Sequence, residues 1–184
     1  MQRFSTVVSV AATLILGAGL GGSIATSAQD ATPSAAGPTS AGTVIHDTEG
    51  RVVAVALVME DTDGVAGVFV TATGLEPGEH GLHAHETGVC EPTGEKAFSS
   101  AGGHVNPTGA EHGDHAGDLG NIVVNADGVG SAIAWTPSLT LADLTDADGA
   151  AIVIHASADL NDPEGTSYGG RIACGVLTSI APGA

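Results

Sequence analysis

From residue 43 onward, turn residues divide the chain into short runs of small and β-branched apolar residues, and this pattern restricts the possible folds more than any other feature. The strand-like runs are residues 43–47, 51–60, 65–73, 81–86, 119–125, 129–135, 150–155 and 171–177. The pair Asp127 and Gly128 between two runs is typical of a tight hairpin turn, and only residues 139–144 could form a helical turn. The pattern therefore predicts an all-β fold: an eight-stranded antiparallel Greek-key sandwich or barrel, immunoglobulin-like, with a long Gly-rich loop at 87–117.

The N-terminal region reads as an export signal followed by a linker. Arg3, an apolar run at 7–20 and small residues at Thr26 and Ala28 predict a signal peptide over residues 1–28, although an uncleaved membrane anchor is an alternative. Residues 29–42 are rich in Pro, Ser, Ala and Gly, which predicts a flexible linker before a domain at 43–180. We therefore expect a secreted or cell-envelope protein, in the periplasm or outside the cell.

The chain is strongly acidic, with a formal net charge of −17 and only four basic residues. Such a surface repels nucleic acid and anionic lipid, so we expect neither as a partner, and no membrane contact after signal cleavage. The two cysteines, Cys90 and Cys174, would most simply pair in an exported protein, the alternative being two free buried thiols.

Six of the eight histidines lie between positions 80 and 115. His83 and His85 are two residues apart in a strand-like run, so both rings should point to one face of the sheet. His104 follows two glycines, which leave a ligand unobstructed, and His155 ends a strand that returns to the same sheet. Four imidazoles without a thiolate suit copper in a tetragonal field better than structural zinc.

A second group of potential ligands follows at regular spacing. His112, His115 and Asp118 are each three residues apart, so a turn would bring them to one side. Imidazole with carboxylate suits zinc. The alternative is a solvated acidic loop that merely contains histidine.

Five segments together resemble the copper/zinc superoxide dismutase family, in the family's order and across nearly all of residues 44–178. They are LEPGEHGLHAHETGVC (75–90), SAGGHVNP (100–107), HAGDLGNIVV (115–124), IVIHASADL (152–160) and GGRIACGV (169–176). The resemblance implies an enzyme that converts superoxide to dioxygen and hydrogen peroxide while copper alternates between Cu(II) and Cu(I). It also implies superoxide as the substrate and a possible homodimer.

The resemblance implies a role for each matching ligand. The residues expected to hold copper are His83, His85, His104 and His155. The residues expected to hold zinc are His104, His112, His115 and Asp118, with His104 bridging the two ions.

Other residues match positions around those ions. Arg171 matches the arginine that draws superoxide to copper, so Arg171 and His104 are the expected catalytic residues. Asp159 matches a carboxylate that links a copper-ligand histidine to a zinc-ligand histidine. His80 matches a histidine that hydrogen-bonds backbone, and His46 matches nothing functional. Cys90 and Cys174 match an intrasubunit disulfide.

Two departures from the family pattern concern the zinc ligands and the approach of superoxide. His112 and His115 are three residues apart where the family usually has a spacing of nine, so zinc could be lost, or Glu111 or Asp114 could substitute as a ligand. The segment between His155 and Arg171 is also short and has no lysine, so we expect a slower enzyme whose rate rises with salt. The competing functions are a copper-binding or copper-buffering protein with weak or no dismutase activity, and a structural or adhesion module.

Overall fold

The computed structural model describes residues 40–181, which form a domain of nine strands and two short helical turns. The strands are β1 (Ser40–Asp47), β2 (Val52–Glu60), β3 (Ala66–Thr73), β4 (Gly78–His85), β5 (Asp118–Val124), β6 (Val129–Trp135), β7 (Ala151–His155), β8 (Arg171–Val176) and β9 (Thr178–Ile180). The helical segments are a 3-10 turn at Ser99–Ala101 and α1 at Leu141–Leu144, which starts with a capping box on Thr140. Within the described residues, no helix is long and apolar enough to cross a membrane.

The strands close into an antiparallel barrel, which confirms the predicted fold class. The neighbour order is β2-β3-β6-β5-β4-β7-β8-β1, and pairing of β1 with β2 completes the circle. The connections from β3 to β4 and from β6 to β7 each pass two intervening strands, as in a Greek key. Two long loops, 86–117 and 156–170, therefore leave neighbouring strands β4 and β7 and meet on one side of the barrel.

The core follows from alternation along each strand. In β3, Ala66, Val68, Val70 and Ala72 are buried, whereas Thr71 between them is exposed. Buried apolar side chains of this kind fill the interior of an eight-stranded barrel. The buried polar side chains lie instead on β4, at the end of β7 and in loop 156–170.

Strand limits differ from the predictions where flanking residues look like linker or turn. Strand β1 begins at Ser40, so residues 40–42 of the predicted linker are ordered, because they pair with β2 on one side and β9 on the other. Strand β4 begins at Gly78, three residues before the predicted run 81–86, because Gly78 pairs with Val124 of β5. The predicted last strand, 171–177, corresponds to β8, and the short strand β9 that follows it was not predicted but pairs with β1. The predicted signal peptide and the rest of the linker lie outside the described residues.

Candidate metal centre

Four histidine rings form a compact, almost fully buried group beside the barrel wall. His83 and His85 of β4 are 0% exposed, and His155 at the end of β7 is 1% exposed. Loop 86–117 folds back along β4 and pairs His104 with His85, which places the His104 ring 4.1 Å from that of His83 between centroids. One nitrogen from each ring lies within 4.8 Å of the others, so the structure brings together all four predicted copper ligands.

The orientation of three of these rings leaves one nitrogen of each directed into the group. His83 Nε2 donates to Asp159 at 2.7 Å, His85 Nδ1 to the Gly102 carbonyl at 3.0 Å, and His155 Nδ1 to the Gly169 carbonyl at 3.2 Å. The opposite nitrogens of these rings are buried and have no hydrogen-bond partner among the described residues. Buried polar atoms without a partner are costly, and a bound metal ion would satisfy all three.

Burial keeps these histidines neutral, which is the form that binds metal. It lowers the pKa of His83 to about 3, assisted by the neighbouring His104 and His155. It lowers the pKa of His85 to about 2, assisted by the Arg171 charge, and that of His155 to about 4. All three rings are therefore unprotonated at neutral pH and ready to act as ligands.

A second group shares His104 with the first and contains three further predicted ligands. His115 Nδ1 lies 3.4 Å from His104 Nδ1 and 3.3 Å from the Asp118 carboxylate, and His112 Nδ1 lies 3.4 Å from Asp118. Ligands bound to zinc at 2.0–2.1 Å in a tetrahedron are ~3.3 Å apart. His104 Nδ1 and Asp118 are closer, at 2.7 Å, a hydrogen-bond distance. The donor set and its spacing thus fit a zinc ion.

The short loop places both histidines on the same side because Asp118 organises the turn. Its carboxylate accepts the backbone N–H of Gly113 at 2.7 Å and that of His115 at 3.1 Å. Burial alone would raise the pKa of Asp118, but these bonds and the hydrogen bond from His104 hold it well below its ordinary value. The suggested substitutes, Glu111 and Asp114, are exposed and outside the group, so the loop does not recruit them.

Asp159 connects the two groups by accepting a hydrogen bond from one histidine of each. One of its oxygens accepts His83 Nε2 at 2.7 Å, and the other accepts His112 Nε2 at 3.1 Å. Asn121 holds Asp159 in place, because its side-chain oxygen accepts the Asp159 N–H at 2.7 Å and its amide donates to the Asp159 carbonyl at 2.9 Å. This is the arrangement that the resemblance implied for Asp159.

Arg171 stands at the mouth of the copper-side group in a fixed position. Its two terminal nitrogens donate to the carbonyls of Phe98 and Gly102, each at 2.6 Å. Phe98 has a φ of 55°, which is rare for a bulky residue and turns its carbonyl toward the guanidinium. Arg171 and His155 line a cavity of about 690 Å³ that opens to solvent.

Lys96 and Tyr168, which the sequence interpretation did not single out, line the same cavity. Lys96 lies in loop 86–117 and brings a second positive charge to the cavity, opposite the lysine-free segment 156–170. Neither residue belongs to a spacing pattern that identifies it from sequence. Only the folding of two loops onto one another reveals them.

The remaining predicted residues are also located. Cys90 and Cys174 form a disulfide with a Cα–Cα distance of 5.7 Å, which links loop 86–117 to β8. His80 has Nδ1 at 2.8 Å from the His155 carbonyl and Nε2 at 2.9 Å from that of Glu76, so it contacts backbone beside the site. His46 is exposed on β1, outside both groups.

Comparison with known proteins identifies similar chains. The sequence profile of the family described as "Copper/zinc superoxide dismutase (SODC)" matches residues 49–177. "Superoxide dismutase-like protein YojM" of Bacillus subtilis is 38% identical over 143 residues, covering 70% of this chain and 71% of that protein.

Solved structures of similar proteins also match this chain. A double mutant of a SOD-like protein from Bacillus subtilis has a TM-score of 0.66 and 36% identity, covering 75% of this chain and 97% of that one. The Cu/Zn superoxide dismutase from Brucella abortus has a TM-score of 0.63 and 30% identity, covering 76% and 99%.

Proposed function

The chain belongs to the copper/zinc superoxide dismutase family, and from this premise we propose that it is a secreted copper-dependent superoxide dismutase. One observation carries the proposal: three buried ring nitrogens without partners, on His83, His85 and His155, converge beside Arg171. Such a site combines a redox metal with a fixed cation, which is what a small anionic radical needs in order to bind and react. Secretion and a homodimer stay predictions.

The reaction converts two superoxide anions and two protons into dioxygen and hydrogen peroxide. Bound copper would supply a one-electron couple, held by His83, His85, His104 and His155. Imidazole ligands suit both copper oxidation states, so the buried rings need not rearrange between the two half-reactions. His104 lies between the two groups, and its ring nitrogen on the copper side is the atom to which we assign the proton delivered to the peroxide.

Arg171 has the role of binding the anion. Its guanidinium is permanently charged, and the carbonyls of Phe98 and Gly102 hold it in one orientation. A fixed cation that does not have to reorganise stabilises an incoming anion more effectively than a mobile one. Lys96 on the same cavity adds attraction at longer range.

Zinc would be held by His104, His112, His115 and Asp118. Its contribution would be to fix His104 and the surrounding loop. Three of the distances among these atoms, at 3.3 Å and 3.4 Å, are close to the tetrahedral spacing, which supports zinc binding despite the shortened loop.

A copper-binding or copper-buffering protein with weak dismutase activity is the second candidate. The acidic chain, with a net charge of −17, favours it, because superoxide is repelled at long range. The two-point anchoring of Arg171 at the cavity favours the enzyme, because a copper buffer has no use for an anion-binding group.

The test is the rate of superoxide decay with the purified protein, stripped of metal and reloaded with copper alone or with copper and zinc. We expect a rate constant within roughly one order of magnitude of the diffusional ceiling of ~10⁸–10⁹ M⁻¹s⁻¹ with both metals. Absence of catalysis in protein that verifiably holds both metals would refute the enzyme and leave the copper-binding function. The metal-stripped protein is the control for background decay.

A further inference from the structure

Tyr168 lies between the two metal-ligand groups, although it is a ligand of neither. It is the only tyrosine of the chain. Its ring centroid is 4.4 Å from that of His155 and 4.8 Å from that of His83, and both contacts are edge-on, with interplanar angles of 73° and 77°. Edge-to-face contact is the favoured geometry for aromatic rings, so Tyr168 limits the rotation of two copper-side histidines.

The same ring reaches the zinc-side group. The Tyr168 centroid is 5.3 Å from that of His112 and 5.5 Å from that of His104. Among the described residues, Tyr168 is the one ring other than histidine with an aromatic contact to either group. One side chain therefore contacts the shared histidine and members of both groups.

The surrounding backbone is shaped to accommodate this ring. A Cβ atom at Gly81 of β4 would lie 2.9 Å from the Tyr168 Cβ, and a Cβ at Gly165 would lie 3.2 Å from its hydroxyl oxygen. The backbone of Tyr168 is tied to the strand end, because its carbonyl accepts the Ser157 N–H at 2.9 Å. The carbonyl of the next residue, Gly169, accepts Nδ1 of His155. These two hydrogen bonds, at Tyr168 and at the residue after it, thus fix the position of Tyr168.

Tyr168 also lines two openings. It lines the copper-side cavity with Arg171 and Lys96, and it lines a second cavity of about 260 Å³ with His112 and His115. Removing the ring would leave space beside His155 and His112 and admit water to it. The histidine rings that Tyr168 now contacts would then have room to rotate.

We infer that Tyr168 is a positioning residue that holds His83 and His155 on the copper side, and His112 on the zinc side, in their ligating orientations. The inference rests on the proposed metal sites and goes beyond them. It also explains how a loop with only two residues between His112 and His115 keeps His112 in place: Tyr168 from the opposite loop packs against it. Residues that orient metal ligands typically change metal affinity by 10–100-fold when they are replaced.

The experiment compares the full-length wild type with Tyr168→Leu, Tyr168→Ala and, as matched control, Tyr168→Phe. Zinc and copper dissociation constants are measured at neutral pH by competition with a chromophoric chelator, and the electron paramagnetic resonance spectrum of bound Cu(II) reports its ligand geometry. The fluorescence of Trp135, on the outer face of β6, checks that each variant folds.

We expect the Leu and Ala variants to bind zinc roughly 10–100-fold more weakly and to show an altered Cu(II) spectrum. The Phe variant should match the wild type, because it keeps the ring edges that contact the histidines. Wild-type metal affinity and spectrum in folded Leu and Ala variants would overturn the inference alone, as would a Phe variant as weak as Ala. Failure of the wild type to bind either metal would overturn the proposed function and this inference with it.

Discussion

His85 and Arg171 share one hydrogen-bond acceptor, the carbonyl oxygen of Gly102. His85 Nδ1 donates to it at 3.0 Å and Arg171 Nη2 at 2.6 Å. The orientation of a candidate copper ligand and the position of the anion-binding cation are therefore set by one peptide group. Displacing either donor would change the hydrogen bond that the other donates to this carbonyl oxygen.

Replacing Arg171 tests the role of the cation. Arg171→Ala should lower the superoxide decay rate by at least about tenfold, because charges focused at a cavity raise association rates by 10–10³. Arg171→Lys should give an intermediate rate, since lysine keeps the charge but cannot reach both carbonyls in one plane. Pulse radiolysis of copper-loaded protein measures the rate, with Arg51→Ala as the control at an exposed arginine. An unchanged rate in Arg171→Ala would favour a copper buffer.

Asp159→Asn should weaken both metal sites at once. Asparagine offers only one acceptor oxygen, so it cannot accept from His83 and His112 together as the carboxylate does. We expect copper and zinc affinities to fall 10–100-fold, measured by chelator competition. Asp127→Asn, at an exposed hairpin turn, is the control. Loss of affinity for only one metal would show that the carboxylate does not couple the groups.

Stability of the metal-free protein should fall as pH decreases from about 6.5 toward 4. Burial lowers the pKa values of His83 and His155 to about 3 and about 4, so the folded state binds fewer protons than the unfolded chain in this range. Each such group contributes up to ~1.4 kcal/mol per pH unit, with stability present above pH 6.5 and lost below it.

Denaturant unfolding of chelator-treated protein at several pH values tests this dependence. The exposed-histidine variant His46→Gln should follow the same profile as the wild type. A free energy of unfolding that is flat between pH 7.5 and 4.5 would contradict the burial of neutral rings.

Removing the disulfide should destabilise the domain substantially. The bridge spans a sequence separation of 84 residues, for which loop-closure entropy suggests ~4–5 kcal/mol. We expect the double variant Cys90→Ser and Cys174→Ser to lose about 2–5 kcal/mol, seen as a lower denaturant midpoint. Wild-type protein unfolded in reductant should match it. An unchanged midpoint in both would rule out the bridge as a major source of stability.

Lys96→Ala should make the enzyme more sensitive to salt. We expect the wild-type rate to rise with added salt at low ionic strength, because the acidic surface repels superoxide and salt screens that repulsion. Removing a cation from the cavity increases the net repulsion of superoxide. The variant should therefore have a lower decay rate at low salt, and its rate should increase more than that of the wild type as salt is added. Rates from about 10 mM to 500 mM salt measure this. A wild-type rate that falls steeply with salt would contradict the expectation.

The barrel could be predicted from sequence because the patterns that mark its strands and turns each lie within a short segment. Alternating small apolar residues and Gly-containing turns identify eight strands, and the limits were wrong where a strand begins in residues such as Gly78 or Ser40. Only partner strands show that those residues are paired. Strand β9 was missed for the same reason, since Thr178–Ile180 lies beyond the predicted run 171–177 and only its pairing with β1 identifies it.

The candidate ligands were also named from sequence, because imidazoles are rare and their flanking residues distinctive. Whether His112 could join His104 depends on how Gly113 and Asp118 form a turn, which spacing alone does not determine. Tyr168 and Lys96 left no local signal. Their roles arise from two loops that approach one another only after the barrel has closed.

The loop carrying His112 and His115 begins and ends at β4, the strand that carries His83 and His85. Val105 and Gly117 both hydrogen-bond the backbone of Ala84 in β4, and this clasp closes the loop whatever lies between them. The pairing of β4 with β7 involves none of the residues inside this loop. For protein engineering, this makes the length of the zinc-side loop a variable separate from the strand pairing that positions His83, His85 and His155.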